Sequence, residues 1–387
     1  MSAPRERTGA ARRPTVLAYY FPSWHDDPRN AAWFGEGFTE WSLLRDARPR
    51  FAGHRQPRVP ALGEWNEADP EVGARQTELA TGNGIDGFLI DYYWYDDGGY
   101  LEGALRDGLL RARNVGDMTF ALMWANHELV DIFPAASADA PPPRLATGAL
   151  DRAAFERFGR HIIAEYFTHP SYLRVEGRPW LSVYEIGSLI AGLGGVAETV
   201  DALDWLRAEA VSSGLPGIHL DAVIWGFGVL PTAVVLDDPL SLVTTLAFDS
   251  ATSYVWMHHV DVDAHAFPAG DADRLRREAF ADYERSAAAL TVPFHPNVTV
   301  GWDSSPRTAQ QLPFERGRYP FLTTWDATPA QFEAGLVEAR SFADRHGGPH
   351  PIVTINAWNE WTEGSYLLPD TTHGMAYLEA VRRVFGR

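Results

Sequence analysis

The chain has 387 residues, a formal charge of −18 at neutral pH and no cysteine. The acid excess argues against a phosphate-backbone partner, which needs a basic surface. The missing thiols exclude disulfides, thiolate metal sites and a cysteine nucleophile. Apolar residues at 45% beside charged residues at 22% suit a globular protein with a large core, and no run of about 18 apolar residues marks a membrane span.

Residues 1–14 carry Arg5, Arg7, Arg12 and Arg13 and read as a loose tail. Val16–Phe21 is too short for a secretory apolar region and reads as the first strand; the expectation is a cytoplasmic protein. Asp69 then caps a helix opening at Pro70, with Glu71 in its first turn and Gly82 and Gly84 at its end. Further apolar runs, the pattern of buried parallel strands, are Ile85–Trp94, Thr119–Asn126, Trp180–Glu185, Leu220–Phe227, Phe248–Trp256, Val298–Asp303 and Ile352–Glu360. Helical patterns fall between them over Asp151–Phe167, Val196–Ser212 and Ala272–Ala288, and Met375–Phe385 follows the last strand. Thr328-Pro329-Ala330-Gln331 is a capping box for a helix ending near Gly347 and Gly348. Strand and helix alternating eight times predicts an α/β fold, a single (β/α)8 TIM barrel over residues 15–387 with long βα loops. Residues 137–148, with Pro141-Pro142-Pro143, fit such a loop rather than a domain linker.

Barrel enzymes carry their chemistry at the carboxyl ends of the strands, and there the polar and aromatic residues accumulate. Strand two finishes with Asp91, Tyr93 and Trp94; strand three with Asn126, His127 and Glu128; strand four with Glu185; strand five with Trp225. Strand seven ends at Trp302 and Asp303, and strand eight brings Asn356, Trp358, Asn359, Glu360, Trp361 and Glu363. Indole faces stack on the C–H faces of sugars while carboxylates and amides bind hydroxyls, so the pattern suggests a carbohydrate cleft. His127, His258 and His259 lack metal-ligand spacing and read as hydrogen-bonding residues. No metal or cofactor is expected, and no G-x-G-x-x-G follows the first strand.

Glu360 and Glu363 are the candidate catalytic pair. Along a continuing strand, residues i and i+3 point to opposite faces, so both enter one cleft only if the chain turns after Glu360, which Gly364 permits. Two carboxyl groups around a scissile bond are the working parts of a glycosidase. Burial and mutual repulsion would keep one of them protonated.

The segment Asn359-Glu360-Trp361-Thr362-Glu363-Gly364 resembles the N-E-W-x-E-G run of glycoside hydrolase family 99, and more closely that of the WbsX-type, family-99-like proteins. Tyr19-Tyr20-Phe21-Pro22-Ser23-Trp24-His25, the stretch from Trp33 to Glu40-Trp41, Gly53-His54-Arg55-Gln56-Pro57-Arg58, and Gly301-Trp302-Asp303-Ser304-Ser305-Pro306-Arg307 resemble the same group. They add Tyr20, Trp24, Glu40 and Trp41 to the candidate sugar contacts. The resemblance implies a metal-free barrel that hydrolyses an α-glycoside, of mannose type in the family, with retention and through a 1,2-anhydro sugar. It implies Glu360 as base on the 2-hydroxyl and Glu363 as general acid, then base. Three positions depart from the pattern: Leu368 stands where relatives often have glutamate, Asp91 where histidine is frequent, and Ala125-Asn126-His127-Glu128 where WbsX-type proteins have A-N-E-N-W. The alternatives are a glycosyltransferase or transglycosylase of bacterial polysaccharide synthesis, for which Asp261-Val262-Asp263 is a D-x-D of the right spacing, and a barrel that binds glycans without cleaving them.

Overall fold

The computed structural model describes residues 13–230, 233–234 and 236–386. Its centre is a ring of eight parallel strands: β1 (Thr15–Tyr20), β2 (Gly87–Tyr95), β3 (Thr119–Trp124), β4 (Arg178–Val183), β5 (His219–Val223), β6 (Ser250–Thr252), β7 (Phe294–His295 and Asn297–Thr299) and β8 (Ile352–Asn356). Neighbours pair in chain order from β1 to β6. The ring closes through β7 and β8. Phe294–His295 pairs with β6, Asn297–Thr299 pairs with β8, and β8 pairs with β1. Pro296, which lacks an N–H for a ladder, separates the two halves of β7, so each half serves a different neighbour. The (β/α)8 expectation therefore holds. The sequence reading began β7 at Val298 and missed its first half.

The helices that carry clear signals form where those signals lie. Asp69 accepts from the Glu71 N–H at the head of α1 (Pro70–Gly82). The Thr328 box opens α6 (Pro329–His346). Between them lie α2 (Arg152–Ile162), α3 (Val196–Ser212), α4 (Pro239–Thr245) and α5 (Ala272–Ala289), and α7 (Ala376–Phe385) closes the chain. The expected helix from Asp151 to Phe167 widens into a π turn at Ile163–Phe167. Between β2 and β3 there is no α-helix; a π turn at Ala104–Gly108 and 3-10 turns take its place. Among the described residues no single helix is long and apolar enough to cross a membrane, and the one apolar pair that reaches the needed length is bent by 98°.

Residues 1–12 of the expected tail lie outside the described residues. Arg13, assigned to that tail, is anchored: its guanidinium donates to the Phe385 carbonyl, Asp86 and the Gly84 carbonyl, each at 2.6 Å. It ties β1 to the end of α7.

At the carboxyl end of β1 a buried polar clamp fixes the loop after β8. The Asn359 side chain accepts from the Phe21 N–H at 2.8 Å and donates to the Phe21 carbonyl at 2.8 Å and to Glu67 at 2.9 Å. Asn359 thus extends β1 pairing with a side chain. Burial pushes the Glu67 carboxyl up to about 8, against the hydrogen bonds from Asn359 and Tyr20. A buried acid of raised pKa favours folding when neutral, so its contribution is full below about 4.5 and is lost as pH rises towards 8. Glu67→Gln is therefore expected to be more stable than the parent at pH 9, by up to about 1.4 kcal/mol per pH unit of the window, with the difference closing at pH 5. Thermal melts at both pH values measure it.

Candidate active site

The carboxyl end of the barrel opens into a cleft of about 880 Å³, counted to its open mouth. The turn that fills its floor is built by the sequence after β8. Asn359–Glu360 pairs antiparallel with Ser365–Tyr366, a 3-10 turn spans Trp361–Glu363, and Gly364 takes φ +67°. A Cβ at Gly364 would lie 2.8 Å from the Asp303 Cβ, so both the left-handed backbone and the close approach call for glycine. The turn rotates Glu363 back towards Glu360, and both line the cleft.

What joins them is Arg307, on the 3-10 turn Ser305–Arg307 after β7. Its five N–H groups are all committed. Nη1 donates to Glu363 at 2.5 Å and to the Tyr319 hydroxyl at 2.6 Å; Nη2 donates to Glu360 at 2.7 Å and to Glu40 at 3.0 Å; Nε donates to Glu40 at 3.1 Å. The guanidinium carbon lies 5.3 Å from the Phe21 ring centre and 5.4 Å from that of Phe133. Tyr319 also donates to Glu363, and the Thr362 hydroxyl donates to Glu40. One cation thus serves three buried carboxyl groups, with Asp91 a fourth acid in electrostatic range.

Protons answer the imbalance. Burial pushes Glu360 well above the carboxylate range, repulsion from Glu363 adds to it, and Arg307 opposes. Glu363 rises too, chiefly through burial, against Arg307 and the Tyr319 hydroxyl. Glu363 accepts from two donors, Arg307 and Tyr319, and Glu360 from one, so burial raises Glu360 with less to oppose it. Asp91 is raised well above its usual range by burial, against a hydrogen bond from Tyr254 at 3.1 Å. Burial keeps His127 and His258 neutral.

Of the expected contacts, Glu40, Asp91, Tyr93, Glu128 and Trp302 line the cleft with the pair. The others serve behind it. Tyr20 accepts from Gln76, which in turn accepts from Trp358 at 2.6 Å. Trp24 packs on Trp41 at 4.1 Å between ring centres, Trp361 stacks on Tyr366 at 3.9 Å, and Trp94 lies against His161 at 4.7 Å. Asn126 brackets the Glu185 backbone with two bonds of 2.8 Å. Glu185, pushed by burial up to about 7, accepts from the Val234 N–H. Trp225 packs behind Tyr184 and His258. Asn356 is wholly buried at the end of β8. Trp24, Trp41, Trp94, Trp358 and Trp361 are buried, and such large aromatic surfaces gain most when covered; Trp225 is half-buried. His259 is likewise held by Asp282 at 2.7 Å. Trp302 and Asp303 follow β7 rather than end it, since Gly301–Trp302 pairs with Trp325–Asp326 outside the ring.

Asp303 is a strut. It accepts from Gln56 at 2.7 Å and Arg58 at 3.4 Å, and lies 2.8 Å from His54; its own N–H donates to the Glu363 carbonyl at 2.5 Å. Burial opposes its charge, but His54 and Arg58 outweigh burial and hold it far below the usual range. The Gly53–Arg58 motif therefore holds the backbone under Glu363 and does not touch the cleft. The sequence reading did not count Arg307, Tyr319, Tyr254, Tyr184 or Ser23 among the site residues, although Arg307 and Ser23 fell within its family motifs; all five line the cleft. For Arg307 a signal existed: three buried acids cannot share a site without a cation.

With this geometry in place, the comparisons divide into fold and family. The fold is similar to that of solved glycoside-hydrolase barrels. A structure described as a glycoside hydrolase-like protein superposes with a TM-score of 0.65 at 13% identity, over 100% of this chain and 97% of the other. The GH99 endo-α-mannosidase from Bacteroides thetaiotaomicron gives 0.56 at 16%, over 95% of each. The chain belongs to the WbsX family, whose model, described as glycosyltransferase WbsX, matches residues 16–381. Its curated relatives include the uncharacterized protein WxcX of two Xanthomonas campestris pv. campestris strains. It is 30% identical over 380 residues in strain B100 and 31% over 384 in strain ATCC 33913. The match covers 96% of this chain and 50% of each relative, so the chain spans about half the length of those proteins.

Removing the Asp303 carboxylate would leave Arg58 and His54 facing an empty buried space. Asp303→Ala is expected to lower stability by about 3–5 kcal/mol, the usual result of breaking a buried ionic cluster, as read from urea unfolding.

Proposed function

We propose that the protein is a retaining α-glycoside hydrolase acting on a glycan or glycoconjugate of manno configuration. The carrying observation is that Glu360 and Glu363 accept from one guanidinium in a buried cleft. That arrangement keeps two acids close while only one of them is ionised.

In the reaction we infer, the 2-hydroxyl attacks the anomeric carbon from the side opposite the departing oxygen. This requires the two substituents to be anti, as in an α-mannoside. Glu360 takes the hydroxyl proton as the C1–O2 bond forms, and Glu363 gives its proton to the leaving oxygen as the glycosidic bond breaks. Water then attacks C1 of the anhydro sugar, giving its proton to Glu363, and Glu360 returns a proton to O2. Two inversions restore the starting configuration. Arg307, which donates to both acids, stabilises the ionised member of the pair, and Tyr319 donates to Glu363 as its charge changes.

A nucleotide-sugar transferase is less well supported. Arg307 is the one arginine or lysine lining the described cleft, and it has no N–H left for a diphosphate. Asp261 of the D-x-D accepts from the Asp263 N–H, and Asp263 pairs with Arg316 at 2.9 Å on the surface. Transglycosylation would use the same anhydro sugar with a sugar hydroxyl in place of water. The intact acid pair speaks against a barrel that only binds.

Glu363→Gln is expected to lower turnover by about 10²-fold or more, with product anomers of the parent enzyme followed by NMR; unchanged turnover would remove Glu363 from the mechanism. The kcat/KM profile should be bell-shaped. Because Arg307 lowers both carboxyl pKa values, Arg307→Met should move both limbs to higher pH as well as slow the enzyme. Limbs that stay in place would mean the guanidinium does not govern the pair.

A further inference from the structure

Because the strands follow one another around the ring, the loops over the mouth do too. Glu40, Arg307, Glu360 and Glu363 come from the segments after β1, β7 and β8. Beside Tyr100, His127 and Glu128, the segments after β2, β3 and β5 along the rest of the ring present the aliphatic side chains of Leu101, Leu129, Val130, Ile132, Val229 and Leu230 to the same cleft. None of these aliphatic side chains can donate or accept a hydrogen bond. Leu129 and Val130 are buried and held in a two-stranded ribbon with Arg144–Ala146. The aliphatic arc reaches the acids: Phe133, next to Ile132, packs on the Arg307 guanidinium.

A fully hydroxylated sugar fits such a wall poorly, because each hydroxyl set against it gives up water without a replacement partner. The buried cleft-lining atoms without a hydrogen bond are Asp91 Oδ1, Glu128 Oε2, His258 Nδ1 and Trp302 Nε1, and of these Glu128 Oε2, the one beside the aliphatic side chains, is already paired with Arg144 at 3.3 Å. An anionic substituent has no better place, as every Arg307 N–H is used. We propose that the substrate sugar carries an aliphatic group, either the methyl of a 6-deoxy position or an O-acyl chain, which lies on this arc. The inference rests on the α-glycosidase reading of the same site and adds the class of sugar to it.

Matched probes test it. Methyl α-D-mannoside, its 6-deoxy analogue and its 6-O-butanoyl ester, with the α-L-mannoside and α-L-rhamnoside pair, are titrated by calorimetry into the full-length Glu363→Gln protein. Turnover of the corresponding 4-nitrophenyl glycosides is measured with the parent enzyme. One aliphatic probe is expected to exceed its hydroxymethyl partner by about 10-fold or more in affinity or kcat/KM, the scale on which apolar pockets discriminate. Preference for the deoxy sugar assigns the arc to a methyl group, and preference for the ester assigns it to an acyl chain. Ile132→Asn should erase the preference; if that variant does not fold, the parent pairs decide alone. Equal or better handling of the hydroxymethyl sugars would overturn the inference and leave the glycosidase reading standing. No binding and no turnover of any probe would overturn both.

Discussion

The site depends on a single guanidinium. Three buried carboxyl groups from segments that follow β1 and β8 meet on Arg307, which arrives from the segment after β7. A planar fork with five donors can do this, whereas an ammonium group has three donors and no fixed plane. Without the cation the acids would be neutral or would repel one another apart. With it, a negative charge on the buried pair has a cation in direct contact to offset the cost of burial.

Around that centre the structure separates contact from support. Glu40, Asp91 and Glu128 reach the cleft, while Asn126, Asn356, Asn359 and Asp303 brace the chain beneath it. The bracing acts on backbone atoms. Asn359 holds both polar groups of Phe21, and the Asp303 amide holds the Glu363 carbonyl. A turn with few ladder hydrogen bonds of its own is thereby made rigid from outside.

Much of the fold was legible in the sequence because a barrel strand is buried on both faces and shows as an apolar run. Helix starts were legible wherever a side chain performs the capping, as at Asp69 and Thr328. The break of β7 at Pro296 was not, since pairing of its halves with different neighbours is a property of ring closure and not of local pattern. At the site, the turn at Glu360–Gly364 could be read because a left-handed residue favours glycine. The tryptophans could not be sorted into core and cleft, because an indole has the same pattern in both. Arg307 was read only as the last residue of a family motif and Tyr319 not at all, because they come from a long segment without periodicity, and their meaning lies in residues distant along the chain.

The two phenyl rings beside Arg307 have one more effect. The ring centres of Phe21 and Phe133 lie 5.3 and 5.4 Å from the guanidinium carbon, and the residue is 5% exposed, so little of its charge meets solvent. Surface charges weaken as ionic strength rises, over a Debye length of about 8 Å at physiological salt, whereas buried pairs are screened much less. The charge balance of this centre therefore responds less to added salt than that of the ion pairs on the outer helices.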